Sequence, residues 1–253
     1  MTMTSSHPDV LRALVTGASS GIGDATVRQL RAAGYAVTAV ARRAERLHTL
    51  ASDTGATALA LDITDTDRVY ELLATQRFDV LVNNAGVGRG ITGFVNATRE
   101  DIEQTLRTNV EAAIHVARAV LPAMVARGRG HVVHLGSVAG LYPIRSALYG
   151  ASKGATHLFA QNLRIELAGT GVRSTEIVAG RVKTEFFSAA IDDESARAKT
   201  QVDIAELTAG DIASAIVWVL GAPPHVDVTT LEILPTDQAI GGVVLRRSAT
   251  GSP

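Results

Sequence analysis

The stretch "VTGASSGIG", residues 15–23, decides how the rest of the chain is read. It ends an apolar, β-branched run, "RALVTG" at 12–17, and leads into "ATVRQLRAAG" at 25–34, which has helical spacing. Gly34 closes that segment where a left-handed C′ glycine belongs. Strand, glycine-rich turn and helix therefore follow one another directly. Gly17 permits the tight turn, Gly21 lets the backbone come close to a ligand, and Gly23 allows the helix to pack closely. A helix opening here points N–H groups and the positive end of its dipole at a phosphate, across Ser19, Ser20 and Ile22. The spacing is GxxxGxG rather than GxGxxG, and small residues also serve plain strand-to-helix turns.

The same alternation continues outward. Apolar runs "AVTAVAR" (36–42), "TALALDI" (57–63), "DVLVNNAG" (79–86), "HVVHLGS" (131–137), "VRSTEIVAG" (172–180) and "DVTTLEILP" (227–235) are separated by longer helical patterns, notably 99–128 and 150–169. Near-continuous apolar strands separated by helices predict βαβ units and a parallel sheet covered on both faces. No repeat, low-complexity segment or Pro/Gly-rich linker interrupts residues 12–235, so a single α/β domain of doubly wound, Rossmann type is expected over 1–253. Residues 1–9 and 246–253 read as flexible tails.

Bulk composition narrows the function. The 253 residues are 46% apolar, enough for a sizeable core, and the formal net charge of −1 is spread along the chain. Neither nucleic acid nor an anionic membrane is an expected partner. No apolar run reaches the ~18 residues of a spanning helix. "MTMTSSHPDV" lacks the basic and apolar regions of a secretory leader, so a cytoplasmic protein is expected. With no cysteine, disulfides and thiolate chemistry are excluded. His131 and His134, three apart on a strand, point to opposite faces, and His115 has no acidic partner at ligand spacing; no metal is expected.

The end of the second strand is more specific than the glycine turn. Dinucleotide sites that bind NAD place a carboxylate there, on the ribose 2′-hydroxyl. Here the residues are Ala41, Arg42 and Arg43. An arginine fork suits a 2′-phosphate, and cations at a helix start are otherwise disfavoured by the dipole. The reading is NADP. Asp62, ending the third strand, suits either the adenine amino group or a helix N-cap.

Taken together, Thr16–Gly23, "NNAG" at 83–86, Asn109 within a helix, Ser137, and Tyr149 with Lys153 resemble the short-chain dehydrogenase/reductase family in order and along nearly the whole chain. The resemblance implies a seven-stranded parallel sheet and a homotetramer, or a dimer. It places "ARRAERL" with the NADP-preferring branch, and "PPHVDVTTLEILP" resembles bacterial 3-hydroxy acid (serine-type) dehydrogenases and sulfoacetaldehyde reductases. It also implies cofactor contacts at Ile63, Asn84, Ala85, Gly86, Gly180, Val182 and Thr184, and a catalytic set of Asn109, Ser137, Tyr149 and Lys153. Two features depart from the family: Ala179-Gly180 replaces its proline-glycine pair, and the loop between Ser137 and Tyr149 is one residue short.

The chemistry accounts for Tyr149 and Lys153. Their i, i+4 spacing stacks the side chains on one helix face. A phenol with a free pKa of ~10 needs a shift of ~3 units, roughly 4 kcal/mol, to act as a base near pH 7, and Lys153 is the expected source of that positive charge. By resemblance Lys153 also bonds the nicotinamide ribose, and Asn109 holds a water behind it. Ser137 would donate to the substrate oxygen as charge develops. Singly, each has a plain structural alternative: Ser137 as a turn residue, Asn109 satisfying backbone, Asn83 and Asn84 bracing the sheet.

Arg89, Arg145 and Arg181 fall in loops expected to wall the substrate pocket, with Phe186, and point to a carboxylate or other small polar substrate such as a 3-hydroxy acid. Leu141, Tyr142, Ile144, Phe94 and Phe186 would equally suit a reductase of bulkier ketones or quinones. A third reading, of another class, is a non-catalytic dinucleotide-binding sensor or scaffold. Residues 186–205 read as a mobile substrate lid.

Overall fold

All seven apolar runs become strands, and all seven join one sheet. The structure, a computed structural model, describes residues 10–198, 200 and 203–239. Strands β1 (Arg12–Thr16), β2 (Ala36–Ala41), β3 (Thr57–Ala60), β4 (Val80–Asn83), β5 (Gly130–Ser137), β6 (Val172–Ala179) and, after a small parallel pair β7 (Val182–Lys183) and β8 (Leu207–Thr208), β9 (Thr230–Ile233) alternate with helices. The sheet order is β3-β2-β1-β4-β5-β6-β9, every pairing parallel. The order reverses between β1 and β4, and a ligand crevice forms at the carboxyl ends of strands at such a reversal. The tails expected at 1–9 and 246–253, and residues 199, 201 and 202 of the expected lid, lie outside the described residues.

Strand periodicity divides the core. Val15 and Val82 point to one face, under α1 (Gly21–Ala32), α2 (Ala44–Thr54) and α9 (Ala209–Leu220), whereas Leu14 and Leu81 point to the other. That second face is covered by α3 (Thr66–Leu73), α5 (Ala113–Ala126) and α6 (Ala147–Glu166). Gly34, with φ of 89°, follows α1 as its position implied.

The single helix expected over 99–128 is three pieces: α4 (Arg99–Leu106), a π-helical turn (Arg107–Ala112) and α5. A π turn holds one residue more per hydrogen-bonded ring than the α-helical period, so apolar spacing does not announce it. The pair β7 and β8 is missed for a related reason, since two-residue strands carry no periodicity. Helix α6 starts three residues before the expected 150, which puts Tyr149 in its first turn. The lid region contains two short helices, α7 (Phe186–Ala190) and α8 (Glu194–Ala198).

His131 and His134 face opposite sides, as alternation requires: His131 Nε2 lies 2.7 Å from Thr175 Oγ1, and His134 makes an edge contact with Phe159. Burial lowers the His131 pKa to about 3, helped by Arg173 and His134, and lowers that of His134 to about 4. Both stay neutral in the fold while the unfolded chain takes up protons below about pH 6.5. Their contribution is therefore full above pH 6.5 and declines as pH falls toward the folded values, by about 1.4 kcal/mol per unit for each group. The melting temperature should fall steadily between pH 6.5 and 4, and His134→Leu should give a shallower slope by calorimetry.

Candidate active site

The carboxyl ends of β1, β4, β5 and β6 open onto two adjoining cavities, of about 350 and 930 Å³. The smaller is lined by Gly17, Ser19, Ser20, Gly21, Ile22, Arg42, Arg43, Asp62, Ile63, Asn84, Ala85, Gly86 and Thr184. The larger is lined by Ser137, Tyr149, Lys153, Gly180, Val182, Arg145, Arg181 and Phe186, and it shares Ile22, Asn84, Gly86, Leu135, Thr184 and Phe186 with the smaller.

Across the reversal point, Thr16 Oγ1 accepts hydrogen bonds from the backbone N–H of Asn84 (3.0 Å) and Ala85 (3.1 Å), and Asn84 Nδ2 donates to Thr16 O at 2.8 Å. Asn83 braces the far side, donating to Ala113 O at 2.8 Å. The turn itself takes positive φ at Gly17 (67°) and Gly21 (54°). Gly23 lines neither cavity; a Cβ there would lie 2.3 Å from Gly17 O, so its absence is what lets α1 close on the turn.

Ser20 is the N-cap of α1 but makes no side-chain cap. Instead Arg43 reaches over the turn, its Nε donating to Ser19 Oγ (3.0 Å) and Nη2 to Ser20 Oγ (2.6 Å). Arg43 and Arg46 converge on the carboxylate of Glu185, at 3.2 and 2.8 Å. Arg46 and Glu185 were not singled out in the sequence; the i, i+3 spacing of Arg43 and Arg46 was a signal for the first, while Glu185 is distant in the chain. Asp62 accepts from Thr64 N–H and lies 3.9 Å from Arg42, and α3 is capped by Asp65 rather than Asp62.

In the larger cavity Tyr149 and Ser137 line one wall, near enough for the serine to pull the phenol's pKa down, and the Tyr149 ring lies against Phe186, centroids 5.3 Å apart. Ser137 Oγ also accepts from Ala139 N–H at 3.2 Å, so it serves as a turn residue too. Lys153 is 6% exposed, with Nζ 5.9 Å from the Tyr149 ring centroid and donating to Leu135 O at 2.7 Å. Burial pushes the Tyr149 pKa up to about 12 against the opposing pull of Ser137. Burial also lowers Lys153 to about 8, partly offset by Glu176. The expected acidification of Tyr149 by Lys153 is thus outweighed: Nζ sits over the ring, bonded to a carbonyl, and desolvation of the phenolate is the larger effect.

Asn109 is brought beneath this pair by the π turn, but it lines neither cavity. Its side chain accepts from Val87 N–H (2.8 Å) and donates to Val87 O (2.8 Å) and Ser152 Oγ (3.0 Å). These bonds tie the loop after β4 to α6.

The three arginines separate. Arg89 lines neither cavity and pairs with Asp192 at 3.1 Å. Arg181 lines the larger one but is committed to Glu206 and Thr200 O, with its guanidinium carbon 4.6 Å from the Phe187 ring centroid. Arg145 alone of the three lines the cavity without an ion-pair or hydrogen-bond partner among the described residues. The turn that lacks the family's proline is closed by Gln238, missed in the sequence, whose Oε1 accepts from Arg181 N–H at 2.7 Å.

Residues 12–195 match the family described as short chain dehydrogenase. The chain belongs to that family. Among its relatives is the NADP-dependent 3-hydroxy acid dehydrogenase YdfG of Salmonella typhi, 40% identical over 93% of this chain and 99% of the relative. The protein of the same name from Escherichia coli K12 is 37% identical over 92% and 98%. A solved structure, the closed form of serine dehydrogenase complexed with NADP+, superimposes with a TM-score of 0.87 at 37% identity, covering 94% of this chain and 100% of that one. This short-chain dehydrogenase therefore shares its fold with its relatives.

Because a methyl group at position 23 meets backbone rather than a flexible side chain, Gly23→Ala should open the turn. A destabilisation of about 1–3 kcal/mol is expected, measurable as a lowered melting temperature.

Proposed function

We propose that this short-chain dehydrogenase interconverts a small polar alcohol, of the 3-hydroxy acid type, and its carbonyl partner, with NADP(H). The observation that carries the reading is Tyr149, Ser137 and Lys153 together on the wall of one cavity, Lys153 Nζ 5.9 Å from the Tyr149 ring, adjoining the glycine-rich cradle.

The smaller cavity fits NADP(H). The end of β2 supplies no carboxylate, and the guanidinium groups of Arg43 and Arg46 already converge on an anion, the Glu185 carboxylate. Glu185 stands in for the charge a 2′-phosphate would bring. Arg42, Arg43 and Arg46 would hold that phosphate, the turn from Gly17 to Gly23 the pyrophosphate, and Thr184, Val182 and Gly180 the nicotinamide end. When bound, the cofactor supplies the hydride donor or acceptor.

The proton is handled by this chain's own residues. With its pKa at about 12, Tyr149 carries its proton at neutral pH, the form that donates to a carbonyl oxygen during reduction. Ser137 holds that oxygen by donating a second hydrogen bond, and Lys153 offers the compensating positive charge as the phenol gives up its proton. In the oxidative direction the same tyrosine must first lose its proton, so that rate should rise with pH.

Arg145, exposed at the cavity and without a partner among the described residues, supports a substrate carboxylate as anchor. A second reading rests on the rest of the wall: Ile91, Val138, Pro143, Ile144 and Phe187 line a space of about 930 Å³, which would also admit a bulkier ketone. No helix among the described residues is long and apolar enough to cross a membrane. We place the enzyme in the cytoplasm as an oligomer, a homotetramer, because α6 exposes Leu158 and Ile165 and α9 exposes Trp218, apolar faces suited to further copies.

Oxidation of NADPH with a panel of semialdehydes, 3-oxo acids and neutral ketones tests the reading. Tyr149→Phe should lower kcat by about 10²- to 10⁴-fold. Separately, Arg145→Ala should raise KM for acidic substrates about tenfold and leave neutral ketones unchanged. Efficient turnover of neutral ketones alone, indifferent to Arg145→Ala, would favour the second reading.

A further inference from the structure

Along α6, Tyr149, Lys153, His157 and Gln161 follow one another at intervals of four, a polar stripe on one face of the helix. The family resemblance uses the first two. The stripe continues inward to a carboxylate: His157 Nδ1 lies 2.6 Å from Oε2 of Glu176, on β6, which is 1% exposed. Gln161 Nε2 is 2.9 Å from His157 Nε2. With the amide donating there, Nδ1 carries the imidazole proton and donates it to Glu176. The pair sets a buried carboxylate deep under the helix, hydrogen-bonded to an imidazole nearer the surface.

The position of that charge follows from the backbone. Glu176 pairs in register with His134 of β5, so both side chains point to the α6 side. A Cβ on Gly136, two residues further along β5, would lie 2.2 Å from Glu176 Oε1, so glycine there makes room for the carboxylate. The carbonyl just before Gly136, Leu135 O, is the one that accepts from Lys153 Nζ at 2.7 Å. Glu176 Oε1 has no hydrogen-bond partner among the described residues, although it is buried. Such an atom is costly unless a nearby cation compensates it.

The groups around Glu176 identify that cation. From α6 they are Lys153 and His157. From β5 the neighbour is His134, which burial keeps neutral. From β9 the register neighbour is Thr230, with Glu232 two residues on and accepting from the Tyr142 hydroxyl at 3.1 Å. Lys153 is the one ammonium in the set.

We infer that Glu176, held by His157 and seated against Gly136, is a positioning residue for the reaction: the buried counter-charge that keeps Lys153 an ammonium beneath Tyr149. This rests on the proposed role of Tyr149 and Lys153. It accounts for a carboxylate buried in an inner strand of the sheet, and it extends the site's machinery across the sheet to the half-exposed end of the stripe. The direction of its effect is set by what each group feels. Glu176 raises the proton affinity of Lys153, which burial lowers, whereas Tyr149 responds to its own burial and to Ser137. Removing the charge therefore weakens the ammonium and leaves the phenolate harder to form.

The test is the pH profile of alcohol oxidation, measured on the full chain with NADP+. Glu176→Gln keeps shape and an acceptor for His157 but removes the charge; its ascending limb should move up by about one pH unit, lowering the rate at pH 7 about tenfold. Glu176→Asp, which keeps the charge, should move the limb less. His157→Leu removes the donor and favours protonation of Glu176, so it should shift the limb in the same direction; because His157 is at the edge, it decides the matter if Glu176→Gln does not fold. A limb unmoved or moved down in the folded variants overturns the inference. Tyr149→Phe, run alongside, separates the two levels: if it stays active, the underlying assignment fails, and if it is inactive while Glu176→Gln keeps the parent profile, only the role of Glu176 fails.

Discussion

The contact between Thr16 and the Asn84–Ala85 backbone holds the two halves of the sheet together where strand order reverses. One hydroxyl oxygen, buried at the end of β1, accepts two backbone N–H groups from the end of β4, and Asn84 answers through its side chain. Asn84 N–H also reaches Val82 O at 3.1 Å, so it is the Ala85 N–H, in a loop that leaves the sheet, that depends on the hydroxyl for its acceptor. With these bonds, the glycine turn and the loop after β4 form one rigid floor. Both cavities stand on it, and Asn109 extends the same tie to α6 through Val87 and Ser152.

Above that floor the site is governed by the cost of burying charge. Tyr149, Lys153, Glu176 and His134 all lie where water is scarce, and desolvation is the first influence on each. It favours the neutral phenol, works against the ammonium and keeps imidazole neutral. The ammonium persists only with a partner, and the buried carboxylate has the same need. The phenol's neighbouring cation, Lys153, is bonded to the Leu135 carbonyl, and burial remains the larger influence on Tyr149. The outer rim follows a different rule. Arg42, Arg43, Arg46 and Glu185 are about half exposed, where ion pairs are individually weak and readily exchanged for a ligand's charge.

Much of this was legible in the chain. The seven strands, the turn from Gly17 to Gly23 and the i, i+4 stacking of Tyr149 on Lys153 are local patterns, and local patterns survive without knowledge of the fold. The cation-rich end of β2 was legible for the same reason. What was not legible was what depends on partners. Arg89 and Arg181 looked as available as Arg145, because Asp192 and Glu206 are remote or unremarkable in sequence. Asn109 sat in a helical pattern whose π turn adds a residue silently.

The sequence by itself determined the layered α/β architecture, the glycine-rich turn and the placing of Tyr149 and Lys153 on one helix face, because hydrophobic period and glycine placement act over a few residues. Only the tertiary structure decided which charges are paired, which arginine faces the cavity without a partner among the described residues, and that the buried Glu176 carboxylate acts on Lys153. Those depend on β5, β6 and α6 meeting in one register, and the energy of a charge is set by the dielectric and the neighbours that such packing brings, not by its place along the chain.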